Sequence, residues 1–350
     1  MKHPFQLARL CFPALTIAAS LTALPAVYSM GKPDPQMQVV LDKLTSQNPK
    51  PIESLSPEEA RKQPNAATAT LAVMKDKGIK VPDYAGEIDN TTFKLGDSKI
   101  DVRIYTPKGT GPFPAILYIH GGGWVIADLD TYEASSRELA INTGAVVVSA
   151  DYRKGPENKF PAAHNDTVGA YEYILGNAAK LKIDPKHIAV VGESAGGNMA
   201  LAVCLAAKEK NLAMPVYQVL VYPVADVASP TSPSIEENKD AKPLNSAMMQ
   251  WFGKHYLNGP ADASDPRMSP ALAGEKLKGL PPATIIAAEI DPLLSGVESL
   301  NKALQAAGVR VNYQYYSGVT HEFFGMGTVL DKAKQAEDVV NADLKAAFAK

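Results

Sequence analysis

The sequence predicts an α/β fold, built on an open, mainly parallel sheet with helices on both faces. Short runs rich in β-branched and aromatic residues alternate with helix-like segments from about residue 92 onward. Several of these runs are apolar throughout, as strands covered by helices on both faces must be. Regular alternation of strands and helices over this length is typical of a doubly wound parallel sheet.

Each element of this fold has its own sequence pattern. We expect strands at residues 100–106, 115–120, 145–150, 187–192, 216–222, 284–290 and 311–316. Helix-like segments lie between or after them at residues 132–142, 161–175, 195–208, 294–307 and 331–348. Before the sheet, helices are expected at residues 35–44 and 57–77, the second with Ser56 as its cap and Pro57 at its first position.

Length and composition exclude several other classes of protein. The chain has 350 residues, of which 46% are hydrophobic and 21% are charged, as in an ordinary globular protein. Its 35 basic and 37 acidic residues give a formal net charge of -2, so no basic surface for nucleic acid is expected. Two cysteines and six widely spaced histidines form no recognisable disulfide framework or metal-ligand motif, and we expect no metal site.

The first 29 residues are expected to be a signal peptide rather than part of the fold. Lys2 and Arg9 precede a mostly apolar run at residues 10–24, and Val27 and Ser29 form a plausible cleavage pair. A retained membrane anchor is the alternative, but the run is short for a membrane span and prolines interrupt it. We expect an exported protein, periplasmic or secreted, with no membrane contact after cleavage.

Residues 225–280 interrupt the alternation of strands and helices. This stretch contains no clear strand, and its one helix-like segment is at residues 246–257. An insertion of this length between two strands usually lies over the carboxyl end of the sheet as a lid. We therefore divide the chain into the signal peptide, an N-terminal segment at residues 30–85, and a sheet domain at residues 86–350 that contains the insertion.

A Gly-x-Ser-x-Gly motif, centred on Ser194, stands between a predicted apolar strand and a predicted helix. In this context the motif predicts a serine hydroxyl exposed above the sheet, because the flanking Gly192 and Gly196 let the chain double back. The amino terminus of the helix directs its N–H groups and positive dipole end at developing negative charge. A serine that only caps the helix is the alternative, but the flanking elements favour a nucleophile.

A run of three glycines follows the predicted strand at residues 115–120, and it supplies the second part of the predicted site. Successive glycines expose backbone N–H groups without side chains, as an oxyanion hole requires. We expect Gly121 and Gly122 to supply two donors and Ala195 a third, with a plain flexible loop as the alternative. His120 is expected to anchor the loop, and Trp124 is a candidate substrate-binding residue that could instead simply pack.

His321 is the predicted general base. It lies in a loop after the last predicted strand, which places its imidazole near the carboxyl edge of the sheet. His164 and His187 lie in or beside packed elements and are expected to be structural, while His255 belongs to the insertion.

Asp291 is the predicted acid that orients this imidazole. It lies in the turn after the predicted strand at residues 284–290, where a carboxylate can fix the tautomer of His321 and stabilise its charged form. Glu289 is the main competitor, although its strand position favours a structural role, and Asp291 has helix capping as its alternative role. The order Ser194, Asp291, His321 is the chain order of α/β-hydrolases.

Together these motifs resemble those of the hormone-sensitive-lipase-like branch of the α/β-hydrolases, the bacterial family IV esterases. The resemblance covers residues 85–349, and its main markers are His120–Trp124, Gly192–Gly197, Asp291 to Leu293, and His321 with Phe323. A further match at residues 151–166 corresponds to a segment that braces the core beside the active site in that family. The sequence departs from the family at Glu193, where Asp or Thr is common.

The resemblance implies an eight-stranded sheet with a helical cap formed by the N-terminal segment and the insertion at residues 225–280. It also implies a serine carboxylesterase that cleaves short- to medium-chain acyl esters through an acyl-enzyme, without a metal or an organic cofactor. We expect a small-molecule ester as substrate and a monomer or homodimer. An amidase, a lactonase or a carbamate hydrolase would share every motif, and a ligand-binding relative is the non-enzymatic alternative.

Overall fold

A computed structural model describes Met1 and residues 30–350, so the predicted signal peptide lies outside the described residues except for Met1. The strands are β1 (Glu87–Leu95), β2 (Ser98–Thr106), β3 (Phe113–Ile119), β4 (Val146–Asp151), β5 (Ile183–Glu193), β6 (Tyr217–Val221), β7 (Ala283–Ile290) and β8 (Val311–Thr320). They form one sheet in the order β1-β2-β4-β3-β5-β6-β7-β8. Among the described strands, only β2 runs antiparallel to its neighbours β1 and β4, and the other pairs are parallel. The predicted α/β class and eight-stranded, mainly parallel sheet are confirmed.

Helices surround this sheet. They are α1 (Pro35–Ser46), α2 (Pro57–Ala60), α3 (Ala66–Asp76), α4 (Glu133–Thr143), α5 (Ala162–Gly176), α6 (Ala195–Glu209), α7 (Pro233–Glu237), α8 (Ser246–Tyr256), α9 (Pro260–Ala263), α10 (Leu294–Ala306) and α11 (Asp331–Phe348). Short 3-10 helices occur at Ile52–Ser54, Pro270–Leu272 and Gly274–Leu277.

The central strands bury side chains on both faces of the sheet, because successive side chains of a strand point to opposite faces. In β3, Leu117 and Ile119 join a core shared with α5, α6 and α10. Ile116 and Tyr118, which alternate with them, join the opposite core shared with α1, α3, α4 and α11. The apolar runs noted in the sequence are therefore strands covered on both sides.

The helix expected at residues 57–77 is two helices, α2 and α3, and the expectation of one continuous helix is wrong. Pro64 lies between them, and a proline ring disfavours helical backbone at the residue before it. Each helix has its own capping box, with Ser56 at the start of α2 and Asn65 at the start of α3.

Two differences in the strands matter for the site. The edge strand β1 was not expected as a separate run, because all but one of its first eight residues are exposed and it lacks an apolar pattern. The last strand, β8, continues four residues beyond the predicted end at residue 316 and ends at Thr320. This extension delivers the next residue, His321, directly from the carboxyl end of the sheet.

The segment between β6 and β7 contains α7, α8 and α9 and, among its described residues, no strand. Helix α8 contacts the N-terminal segment, where Trp251 Nε1 donates a hydrogen bond to the Leu55 carbonyl at 3.1 Å. The two parts of the chain expected to form the cap therefore touch each other. No helix among the described residues combines the length and apolar character that a membrane span would need.

Candidate active site

Ser194 occupies the sharp turn between β5 and α6. Its backbone has φ +56° and ψ −119°, a conformation that non-glycine residues rarely adopt. The turn is tight because a Cβ at Gly192 would lie 2.2 Å from the Gly196 carbonyl oxygen, and a Cβ at Gly196 would lie 2.0 Å from the Ile119 oxygen. The two glycines of the motif are thus needed for close backbone approach, which lifts the serine above the sheet.

The structure brings together the three residues predicted to react. His321 Nε2 lies 2.9 Å from Ser194 Oγ, and His321 Nδ1 lies 2.7 Å from Asp291 Oδ2. The second oxygen of Asp291 accepts a hydrogen bond from the Leu293 N–H at 2.8 Å, which fixes the carboxylate in its turn. All three side chains are buried, with Ser194 only 5% exposed.

Burial opposes a positive charge on His321, but the charge and hydrogen bond of Asp291 outweigh it and raise the pKa of His321. Glu322 and Glu193, both nearby, act in the same direction. An imidazole in this setting can accept a proton from a serine hydroxyl and be stabilised while it carries that proton.

The three-glycine loop follows β3 and turns beside Ser194. Gly122, Gly123 and Trp124 all have positive φ, at +94°, +57° and +60°. Across the described chain, the N–H groups of Gly121 and Gly122 donate to no protein acceptor. The helix α6 begins at Ala195, whose N–H precedes the first intrahelical bond. The three predicted oxyanion donors therefore remain available for a ligand.

His120 anchors this loop, as its sequence position suggested. Its Nδ1 lies 2.8 Å from the Gly121 carbonyl oxygen and its Nε2 lies 3.2 Å from Asp151 Oδ1. Tyr152 donates a hydrogen bond to the same Gly121 oxygen at 2.8 Å and stacks on the imidazole at 4.3 Å. Burial would raise the pKa of Asp151, but the partners His120 and Lys154 lower it to about 2, so Asp151 is a charged anchor.

A cavity of about 600 Å³ opens onto Ser194 and His321. The N-terminal segment, the glycine loop and the segment between β6 and β7 all contribute to its largely apolar walls. Trp124 lies in the wall and stacks on Tyr256, with ring centroids 4.9 Å apart. Phe252 of α8 packs directly over the loop, since a Cβ at Gly123 would lie 2.3 Å from its ring.

The remaining candidates are held in structural contacts. His164 is buried between Tyr256 and Asn198, and burial lowers its pKa to about 4. Glu289, the alternative candidate for the acid that orients His321, accepts a hydrogen bond from the Gly318 N–H. It therefore links β7 to β8. His187 pairs with Asp184 at 2.8 Å.

The segment at residues 151–166, which resembles the bracing segment of the family, contains an ion pair. Arg153 forms bidentate hydrogen bonds with the buried Asp166, whose Oδ2 also accepts the Arg153 backbone N–H at 2.9 Å. In the part of the chain that the structure describes, no group of three His, Cys, Asp or Glu side chains is placed to hold a metal ion.

Sequence reasoning missed two acidic groups beside the site. Glu193 is fully buried and accepts hydrogen bonds from Tyr118 and Tyr222, while the Tyr222 ring lies 4.6 Å from that of His321. Glu322 lines the cavity, with its Oε1 3.8 Å from His321 Nε2. The sequence analysis noted Glu193 as a departure from the family pattern but assigned it no role, and the signal for Glu322 was its position next to the predicted base.

Comparison with known proteins gives consistent results. The alpha/beta hydrolase fold family matches residues 116–325. An ethyl acetate hydrolase of Pseudomonas putida is 36% identical over 290 residues, which cover 81% of this chain and 88% of that protein. A carboxylesterase of Mycobacterium tuberculosis is 37% identical over 286 residues, covering 81% of this chain and 89% of that protein.

Among solved structures, a hyperthermophilic esterase from the archaeon Pyrobaculum calidifontis is similar over 90% of this chain and 98% of its own. The TM-score is 0.82 and the sequence identity is 33%. An esterase from Pseudomonas putida has a TM-score of 0.81 and 32% identity, covering 91% of this chain and 98% of that chain.

Proposed function

Since the chain belongs to the α/β-hydrolase family, we propose that it is a serine carboxylesterase acting on short- to medium-chain acyl esters. The observation that supports this most directly is the placement of His321, which joins Ser194 Oγ at 2.9 Å and Asp291 Oδ2 at 2.7 Å. The resemblance to the hormone-sensitive-lipase-like branch is confirmed by the family match and by relatives that are carboxylesterases.

In the acylation step, Ser194 Oγ attacks the ester carbonyl while His321 Nε2 accepts the serine proton. Backbone N–H groups of Gly121, Gly122 and Ala195 hold the oxyanion as it forms. His321 then returns the proton to the leaving alcohol, and the acyl group remains on Ser194. Asp291 holds Nδ1–H of His321 and so keeps Nε2 free to act as the base.

A cavity of about 600 Å³ with apolar walls supports the assignment of short to medium acyl groups. The walls contain aliphatic and aromatic side chains such as Met248, Met249 and Phe252 from α8. Such a lining stabilises alkyl groups by removing their surface from water.

The proposal predicts that release of nitrophenol from nitrophenyl acetate and butyrate depends on Ser194 and His321. We expect Ser194→Ala and His321→Ala to lower kcat by roughly 10⁴-fold or more, since each removes a reacting group from a unit that works together. A matched control is Ser229→Ala, because Ser229 also lines the cavity and its backbone N–H donates a hydrogen bond to Asp226. Comparison with octanoate and laurate esters measures the acyl length that the cavity accepts.

Turnover that persists in Ser194→Ala would contradict the serine mechanism. A folded wild-type protein that turns over none of these esters would contradict the assignment to esters. The same variants would then be compared on amides, lactones and carbamates.

We also propose that the protein is exported after cleavage near Ser29. The support is the order of basic residues, apolar run and small residues at the start of the sequence. Mass spectrometry of the protein recovered from cell fractions tests this: a mature chain beginning near Met30 outside the cytoplasm is expected, and an intact Met1 in the cytoplasm would contradict it.

A further inference from the structure

We propose that Glu322 orients the water that hydrolyses the acyl-enzyme, and that it thereby favours water over alcohols as the acyl acceptor. This role rests on the proposed ester hydrolysis. Glu322 Oε1 lies 3.8 Å from His321 Nε2, the nitrogen that faces Ser194 and must take the proton of the attacking molecule. The side chain is 24% exposed and lines the same cavity as Ser194.

Tyr132 holds the Glu322 carboxylate in place. Its hydroxyl lies 2.7 Å and 2.8 Å from the two carboxylate oxygens. The same hydroxyl packs against the oxyanion loop, since a Cβ at Gly121 would lie 2.2 Å from it. Tyr132 therefore fixes Glu322 relative to both the base and the predicted oxyanion donors, and we assign it as a positioning residue.

The backbone of Glu322 supports a role at the site. Its φ is +68°, in the left-handed region that glycine adopts readily and other residues adopt at a cost. Such conformations persist where the surroundings hold them, and they are concentrated at active sites. Here the surroundings include Tyr132, and the result is a carboxylate beside the reacting nitrogen.

In deacylation, the Glu322 carboxylate can accept a hydrogen bond from the attacking water. Water has two O–H bonds: one proton passes to His321 Nε2 as the oxygen bonds to the acyl carbon, and the other O–H needs an acceptor. Glu322 Oε1 accepts a hydrogen bond from this second O–H and keeps its own protonation state unchanged. The intermediate then collapses, the bond from the acyl carbon to Ser194 Oγ breaks, and His321 returns its proton to Oγ.

An alcohol as acyl acceptor gains nothing from Glu322. Its single O–H proton passes to His321 Nε2, and an alkyl group replaces the second O–H and faces the carboxylate. An alkyl group beside Oε1 therefore gives up the hydrogen bond that water would donate there, which is unfavourable for a carboxylate oxygen. The charge of Glu322 also acts on His321, but that effect applies equally to water and to alcohol because both use the same base.

The test measures how the acetyl-enzyme divides between water and methanol. Nitrophenyl acetate is hydrolysed at a fixed methanol concentration by the wild type, Glu322→Gln and Glu322→Met, and the ratio of methyl acetate to acetate is determined. We expect Glu322→Met, which keeps the length but lacks a strong acceptor, to raise this ratio about tenfold. Glu322→Gln, whose amide oxygen can still accept a hydrogen bond, should give a ratio between those of Glu322→Met and the wild type. If Glu322→Met does not fold, the ratio for Glu322→Gln alone tests the role.

Two controls separate this role from a structural one. Tyr132→Phe removes the hydroxyl that holds the carboxylate, so it should also raise the ratio. Tyr222→Phe removes the hydrogen bond to Glu193 beside the His321 ring. It should change the rates of formation of acetate and methyl acetate by the same factor and leave their ratio unchanged.

An unchanged ratio in both Glu322 variants, with a wild type that releases nitrophenol, would overturn the role of Glu322 and leave the esterase proposal intact. A wild type that releases no nitrophenol would overturn the proposed function and this role with it.

Discussion

Glu193 is a buried carboxyl group next to the predicted nucleophile. Burial raises its pKa to about 7, although hydrogen bonds from Tyr118 and Tyr222 oppose the shift. A carboxyl group with a raised pKa binds its proton more tightly in the folded protein than in the unfolded chain. Its stabilising contribution is therefore full below about pH 4.5 and is lost as the pH rises through 7.

We predict that Glu193→Gln makes the protein less sensitive to rising pH. The stability of the variant relative to the wild type should increase by about 1–3 kcal/mol between pH 5 and pH 8, because a neutral amide has no proton to lose. Urea unfolding at several pH values measures this difference. The control is Glu275→Gln, an exposed acid, which should show no such trend, and a parallel pH dependence in Glu193→Gln and wild type would contradict the prediction.

The reacting residues could be predicted because their chemistry restricts both residue type and position. A serine between two glycines, an acid in a turn and a histidine after a strand are each recognisable in the sequence. Glu322 was not recognisable in this way, since its position depends on a left-handed backbone and on Tyr132, 190 residues away in the chain. No motif marks the contact between Glu322 and Tyr132, whereas motifs mark each of the three reacting residues.

Among the secondary structure elements, the short helix α2 is held to the sheet domain by several hydrogen bonds of one arginine. Arg61, just after the helix, donates hydrogen bonds to the Val125 and Gly155 carbonyl oxygens at 2.9 Å and 2.7 Å. It also forms a bidentate pair with Glu157, at 2.8 Å and 2.7 Å, which lowers the pKa of Glu157 to about 2. A guanidinium can make these planar contacts together, whereas an ammonium cannot.

We predict that Arg61→Lys loosens the N-terminal segment above the cavity. The free energy of unfolding should fall by about 1–3 kcal/mol, and KM for the longer esters should rise more than KM for acetate. Denaturant unfolding and nitrophenyl ester kinetics measure the two effects. Lys62→Ala is the matched control because the Lys62 side chain forms an exposed ion pair with Glu58 on the same helix end. Equal effects from both variants would rule out a specific role for Arg61.

How well each element could be predicted depended on its apolar pattern. The buried strands β3 to β7 were found to within a few residues, because a covered strand must be apolar. The edge strand β1 is mostly exposed, so its residues show no apolar pattern. It is a strand because it pairs with β2. Helices α2 and α3 were expected as one helix because each side of Pro64 is helical in composition, although Pro64 and the capping residue Asn65 separate them.

At the scale of the whole molecule, the N-terminal segment packs against the strand that precedes His321 as well as lining the cavity. The Asp34 N–H donates a hydrogen bond to the Gly318 oxygen of β8 at 2.8 Å, and Thr320 Oγ1 lies 3.5 Å from Met37 Sδ. Met37 is 1% exposed and belongs to the same core as Phe323, two residues after His321. The loop that carries the base thus packs on a helix from the other end of the chain.

We therefore predict that the N-terminal segment and the sheet unfold together. Met37→Ala should lower the stability of the whole protein by about 2–5 kcal/mol, because it opens a cavity under β8. Circular dichroism and the fluorescence of Trp124 and Trp251 should show one transition at the same urea concentration, and esterase activity should be lost with it. Two separate transitions would contradict this prediction. The first would change the circular dichroism and only part of the fluorescence, because Trp251 contacts Leu55 of the segment, and Met37→Ala would then affect that first transition alone.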